Sequence, residues 1–186
     1  MKKFLSVAIV CVFLLFNSSL CFAEEASQAV KDLATSTLAG YGSDPIIVAA
    51  VKQQNAAGKT LEQIKSADTE WQKNAGLDDF MKSLMTSECG THLVTILESA
   101  KYFAEIFVMD NQGANVAMTG KTSDYWQGDE GKFQKSFADG AGAVFVDQVE
   151  FDDSSQAYLV QISVPVMDNG KAIGAITFGI DVEAVE

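Results

Sequence analysis

Residues 102–120 read YFAEIFVMDNQGANVAMTG, and residues 142–182 read GAVFVDQVEFDDSSQAYLVQISVPVMDNGKAIGAITFGIDV. Between them lies KTSDYWQGDEGKFQKSF, residues 121–137. Aromatic and branched side chains fill 102–109, as in a strand. Asp110, Asn111, Gln112 and Gly113 supply turn chemistry, and 114–118 return as the second arm of a hairpin. Asp110 and Asn111 also look like part of a calcium loop, but the later acidic positions of such a loop do not follow. A third strand is expected over 143–149, then an acidic turn over 151–155 and a fourth strand over 157–166. In that fourth strand Tyr158, Val160, Ile162, Val164 and Val166 alternate with Leu159, Gln161, Ser163 and Pro165. Gln161 and Ser163 therefore share one face, which suits a half-wet sheet or a ligand surface. Pro165 marks the strand's end or an edge. Asn169 and Gly170 favour a mirror-type hairpin turn. The fifth strand, 172–180, carries Gly174 and Gly179, where something can approach closely.

Working outward, the segment before this sheet is helical. Ala29, Val30, Leu33, Ala34 and Leu38 recur at helical spacing within 24–39, and Gly40 and Gly42 end that run. Ser43, Asp44 and Pro45 open a second helix, with proline in the first turn, and Gly58 stops it. Thr60 and Gln63 form a capping box for a third, in which Trp71 reads as a packing residue. Residues 77–99 read as one more helix, bent or broken at Cys89, Gly90 and Thr91. No Pro/Gly-rich linker, internal repeat or low-complexity tract separates the helices from the sheet. Residues 24–100 and 101–186 are therefore expected to form one α+β domain.

Residues 1–23 stand apart. Lys2 and Lys3 precede an apolar run over 4–16, and a polar break leads to Ala23, the pattern of a cleaved secretory signal. The run falls short of the roughly 20 apolar residues that span a bilayer. An exported, periplasmic protein is expected. Removing Lys2 and Lys3 turns 13 basic residues into 11, and against 25 acidic ones the formal charge becomes −14. Such a chain is a poor partner for nucleic acid or an anionic membrane surface. It contains no arginine, the usual bidentate clamp for carboxylate or phosphate. Cys11 and Cys21 leave with the signal, so Cys89 has no intramolecular disulfide partner and a core must supply stability.

Chemistry concentrates in the insert. Tyr125 and Trp126 stand beside Asp124, Asp129 and Glu130, with Gly128 allowing a bend and Asp129 placed to cap a short helix through Phe137. Phe133 and Phe137, four apart, suit that helix's buried side. Either the two aromatics seal the sheet edge while the acids face water, or they wall a pocket in which Asp124 or Asp129 pairs with an amine. Cys89 and His92 are too few to hold a metal alone, and a c-type haem needs a second cysteine. No cofactor or metal is expected. His92 lies far from the insert, and no nucleophile-elbow or zinc-peptidase motif occurs, so no catalytic activity is expected.

The arrangement resembles the single-module Cache family, extracytoplasmic PAS-like sensor domains. Residues 107–113, 123–130 and 162–166 carry the resemblance, and Ile173, Gly174, Ala175 and Ile176 add to it. It implies a PAS-like five-stranded antiparallel sheet with a long N-terminal helix and helical lead-in. It also implies a small organic ligand (an amine, amino acid or carboxylate) between sheet and insert. Asp124, Tyr125, Trp126 and Asp129 are then expected to face one cavity with Tyr102, Phe133, Phe151, Asp152 and Gln161. Lys132 or backbone N–H groups would replace the family's arginine. With no output domain before Glu186, the chain is expected to bind ligand, or present it to a membrane sensor protein. The alternative is a ligand-free interaction module or homodimer.

Overall fold

The computed structural model describes residues 24–152 and 156–185. The expected signal, residues 1–23, and residues 153–155 of the acidic turn lie outside the described residues. The lead-in is a series of helices. Ser27 caps α1 (Gln28–Leu33), which runs through a π segment (Ala34–Leu38) into α2 (Ala39–Tyr41). The hydroxyls of Thr35 and Ser36 donate back to the carbonyls of Lys31 and Asp32, a competition that favours such an irregularity. The helix starts later than its periodicity suggested because Glu24–Glu25 form a short strand, β1.

Next come α3 (Pro45–Ala56) and α4 (Leu61–Lys73). Both arms of the expected Thr60–Gln63 capping box are present, at 3.2 and 2.9 Å. The last helical stretch breaks at Ser87, before the Cys-Gly-Thr segment, into α5 (Asp79–Thr86) and α6 (Glu88–Leu97). Ser87 ends one helix and caps the other, accepting the Gly90 N–H at 2.9 Å. Gly90 serves close packing: a Cβ there would stand 2.4 Å from the Leu84 and Met85 carbonyl oxygens.

One oxygen of Asp44 caps α3, accepting the Ile46 and Ile47 N–H groups, and the other meets His92 Nε2 of α6 at 2.9 Å. Burial pushes the Asp44 carboxyl up, but the His92 hydrogen bond and the two N–H groups outweigh it and hold it below its ordinary 3.8. A lowered folded-state value contributes stability above 3.8 that disappears as pH falls through the folded value. Asp44→Asn is therefore expected to flatten the acid limb of stability against pH. Urea midpoints measured between about pH 5 and pH 2 check this, and an unaltered acid limb would deny Asp44 the role.

The strands are β2 (Phe103–Met109), β3 (Asn115–Met118), β4 (Phe145–Asp152), β5 (Ala157–Asp168) and β6 (Lys171–Asp181). They form one sheet in the order β1-β4-β5-β6-β2-β3, with every neighbouring pair antiparallel. This is the expected PAS-like α+β architecture, extended by the two-residue β1 at one edge. Asn169 and Gly170 have φ of 49° and 80°, the mirror-type turn. Pro165 neither ends β5 nor breaks it. The β4 pairing reaches only Ser163, so Pro165 lies where one side of β5 is already free. Phe151 and Asp152, expected in the turn, belong to β4.

Alternation sorts the two faces of the sheet. Ile106, Val108, Ile162, Val164, Ile176 and Phe178 face the larger core with Val30, Leu38, Ile47, Val51 and Leu93 of the helices. Phe107, Met109 and Ala175 face the other way, into a smaller core with Ile64, Trp71, Met81, Tyr125 and Phe133. Any site between sheet and insert lies on this second face.

Candidate functional site

The insert is fastened to α4 and to the β2–β3 hairpin. Asp68 of α4 accepts the Tyr125 and Trp126 N–H groups on one carboxylate oxygen, at 2.8 and 3.1 Å. Gln127 N–H donates to the Gly113 carbonyl at 2.8 Å, and Trp126 Nε1 donates to the Gln112 carbonyl at 2.8 Å. Gly113, at φ +85°, packs on Gly128, where an added Cβ would come within 2.5 Å. These contacts fix the insert without regular structure until α7 (Gly131–Phe137). Glu130, not Asp129, occupies the N-cap of α7, with no side-chain capping bond. Asp129 is exposed at the bend.

The residues expected to share one cavity are divided among three places. Tyr125 is fully buried, its ring centroid 5.6 Å from Trp71 and 5.2 Å from Phe80. Phe133 is buried too, stacked on Phe137 at 5.2 Å. Trp126 is half-buried along a groove of about 450 Å³ that Phe133, Phe137 and Leu61 also line, and Lys65 Nζ lies 4.1 Å from its ring centroid. Asp124 Oδ1 accepts from Gln72, and Asp124 Oδ2 from Ser123. Tyr102 is on the opposite side of the sheet, 4.6 Å from the Phe103 ring, and burial, with Tyr41 adding to it, pushes its phenol up. It cannot share a cavity with the insert.

The other four meet. Lys132, Phe151, Asp152 and Gln161 line a groove of about 530 Å³ on the second face, beside the start of α7. Glu105, Glu130, Asp147, Gln148, Glu150 and Leu159 complete its lining. Its floor is a row across three strands, Gln161 beside Gly179 beside Glu105. Gly179 makes room for the Glu105 side chain, since a Cβ there would stand 2.5 Å from Glu105 Cγ. Gln161 Nε2 donates to Glu105 Oε1 at 3.0 Å, which fixes both. Lys132 Nζ sits 5.6 Å from the Phe107 ring centroid. Phe151 meets Tyr158 edge-on at 5.2 Å, and both are about half exposed. Five carboxylates against one ammonium leave the lining a formal charge of −4. A concave surface of one sign concentrates counter-charge.

Several contributors escaped the sequence reading. Glu105 left a signal, a lone acid inside the apolar strand FAEIFVM. Asp147 and Glu150 read as ordinary outward charges. Asp68 left none, because its partners lie 57 and 58 residues away. Cys89 is buried, and burial, with Asp44 and Glu88 adding to it, pushes its thiol up to about 12, far from a reactive thiolate. Among the described residues no group of three or more His, Cys, Asp or Glu is placed to hold a metal ion.

No protein-family model matches the chain, and no curated protein does. Solved structures similar to it include the sensor domain of the Vibrio cholerae histidine kinase DctB, at 15% identity and a TM-score of 0.42 over 84% of this chain and 51% of that one. The ligand-binding domain of the Campylobacter jejuni chemoreceptor Tlp3 is similar at 16% identity and a TM-score of 0.41, over 86% and 62%. The ligand-binding domain of the Pseudomonas aeruginosa amino acid chemoreceptor PctC follows at 12% identity and 0.40, over 80% and 63%. The chain thus spans 51–63% of the length of these three. No helix among the described residues is long and apolar enough to cross a membrane.

Proposed function

We propose that this chain is an extracytoplasmic, sensor-type binding protein without catalytic activity, and that its ligand is a small organic amine held in the acidic groove. The charge of that groove carries the reading. Of the ligand classes the sequence left open, a carboxylate meets five like charges and one lysine there, with no arginine to hold it. An ammonium meets Glu105 and its neighbours, with Phe151 also in the lining. Gln161 supplies a directional contact beside the charge. A signal-like N-terminus favours the periplasm, where the loaded protein could engage a membrane sensor.

A thermal-shift screen of linear mono- and diamines against equally long dicarboxylates tests this. A ligand at 100 times its Kd stabilises by about 2.7 kcal/mol, enough to raise Tm by several degrees. Shifts confined to the amines are expected. Shifts confined to the dicarboxylates would reverse the assignment.

A second reading, an interaction or dimerisation module, has its own observation. Leu61, Leu77 and Phe80 of the helical half are each about 40% exposed. Light scattering across a concentration series separates the two readings, since only the second expects self-association without ligand.

A further inference from the structure

Trp126 is half-buried, and its ring is held in place. Its backbone N–H is bound by Asp68 and its Nε1 by the Gln112 carbonyl, and Gly128 packs so closely that a Cβ there would collide with the indole. The groove of about 450 Å³ beside it is lined by the indole, by the stacked rings of Phe133 and Phe137, and by Leu61 of α4. Lys65, one turn on from Leu61, puts Nζ 4.1 Å from the indole centroid without itself lining the groove. The ring is thus already placed to hold a cation. Asp139 is the one charged residue of the lining. Its position is locally unfavourable in two ways. It and Ala138 both have left-handed backbone, at φ 51° and 46°, which successive non-glycine residues rarely adopt. It also sets a negative charge directly past the C-terminal end of α7, where the helix dipole favours a positive one. Among the described residues no hydrogen bond or ion pair engages its carboxylate. Local folding does not call for an acid there, whereas a cation in the groove does.

We propose that this groove is a second binding site, for an alkylated ammonium ion whose N–H groups are replaced by methyl groups. Trp126, Phe133 and Phe137 take the apolar skin of such a cation and attract its charge. Asp139 supplies the counter-charge. A primary ammonium fits less well, because its three N–H donors need acceptors and it is strongly hydrated. The acidic groove offers five carboxylates for those donors, and the Trp126 groove only one. The two places share no lining residue, so each has its own ligand class. Lys65 is then a tethered competitor, since its ammonium lies on the ring that the ligand's charge uses.

The probe is choline, and the control is 3,3-dimethyl-1-butanol, which has the same shape with carbon in place of the charged nitrogen. Calorimetric titration of the wild type is expected to show saturable choline binding, with the control weaker by about tenfold or more. Asp139→Asn should weaken choline by about threefold, the scale of one exposed charge, and Lys65→Met should tighten it by a similar factor because the competitor is gone. Trp126→Leu should abolish it. Asp139 and Lys65 are both exposed, so their variants decide the matter even if Trp126→Leu does not fold. The control binding as tightly as choline would overturn the ligand class. No saturable choline binding, or binding that neither Asp139→Asn nor Lys65→Met alters, would overturn the site. Choline binding lost in Glu105→Gln but kept in Asp139→Asn would overturn it too, by placing the cation in the acidic groove.

Discussion

Trp71→Ala is expected to cost about 3–5 kcal/mol of folding stability, the range for emptying a large aromatic site in a packed core. Trp71 is 2% exposed at the centre of the second core, against Tyr125 and Phe80. Its Nε1 donates to the Thr122 carbonyl at 2.9 Å, so truncation also leaves a buried acceptor without its donor. The walls are helices and a sheet, which close poorly over a cavity of that size. Since whole domains are stable by only about 5–15 kcal/mol, the variant should lose much of its urea midpoint. Trp71→Phe, which keeps a ring, should lose less. A loss below about 1 kcal/mol for Trp71→Ala would mean that the insert collapses into the space and does not depend on α4.

Glu105→Gln is expected to weaken amine binding at least tenfold, about 1.4 kcal/mol or more, with little effect on stability. The amide keeps the shape of the side chain and an oxygen for the Gln161 hydrogen bond, so the floor of the groove survives. What disappears is one of five negative charges, the one fixed most directly over the sheet. The remaining affinity should fall as salt is raised from 0.05 to 0.5 M, because the groove is open to solvent and its charges are screened. Calorimetric titration of the variant with the best amine of the screen measures both. Unchanged affinity would remove the groove as the binding place.

What the sequence disclosed was local. The Thr60–Gln63 box, the Asp44 cap before Pro45 and the Asn169–Gly170 turn each depend on residues a few positions apart, and each is present. The alternation in β5 likewise gave the two faces of the sheet. The break before α6 was misplaced by two residues because Gly90 reads as a helix breaker, while its use is close contact with α5. The site was legible only in fragments. Lys132, Asp152 and Gln161 do converge, but Glu105, which joins them, sits on another strand, and only the register of β2, β5 and β6 brings it beside Gln161. Tyr125 and Trp126 could not be told apart from sequence. They are adjacent, yet one ring is fully buried between helices and the other lies half-exposed under Lys65. Both backbone N–H groups are held by Asp68, on a distant helix.

The most direct measurement is an amide chemical-shift titration of the labelled protein with a linear diamine, following the side-chain NH2 of Gln161. That group donates to Glu105 at the floor of the groove, so a bound ammonium on Glu105 must disturb it. Saturable shifts of the Gln161 side chain, with Gln148, Leu159 and Lys132 moving in parallel, are the expected result. Saturable shifts confined to the insert around Trp126, with Gln161 unmoved, would contradict it, as would no saturable shift with any amine.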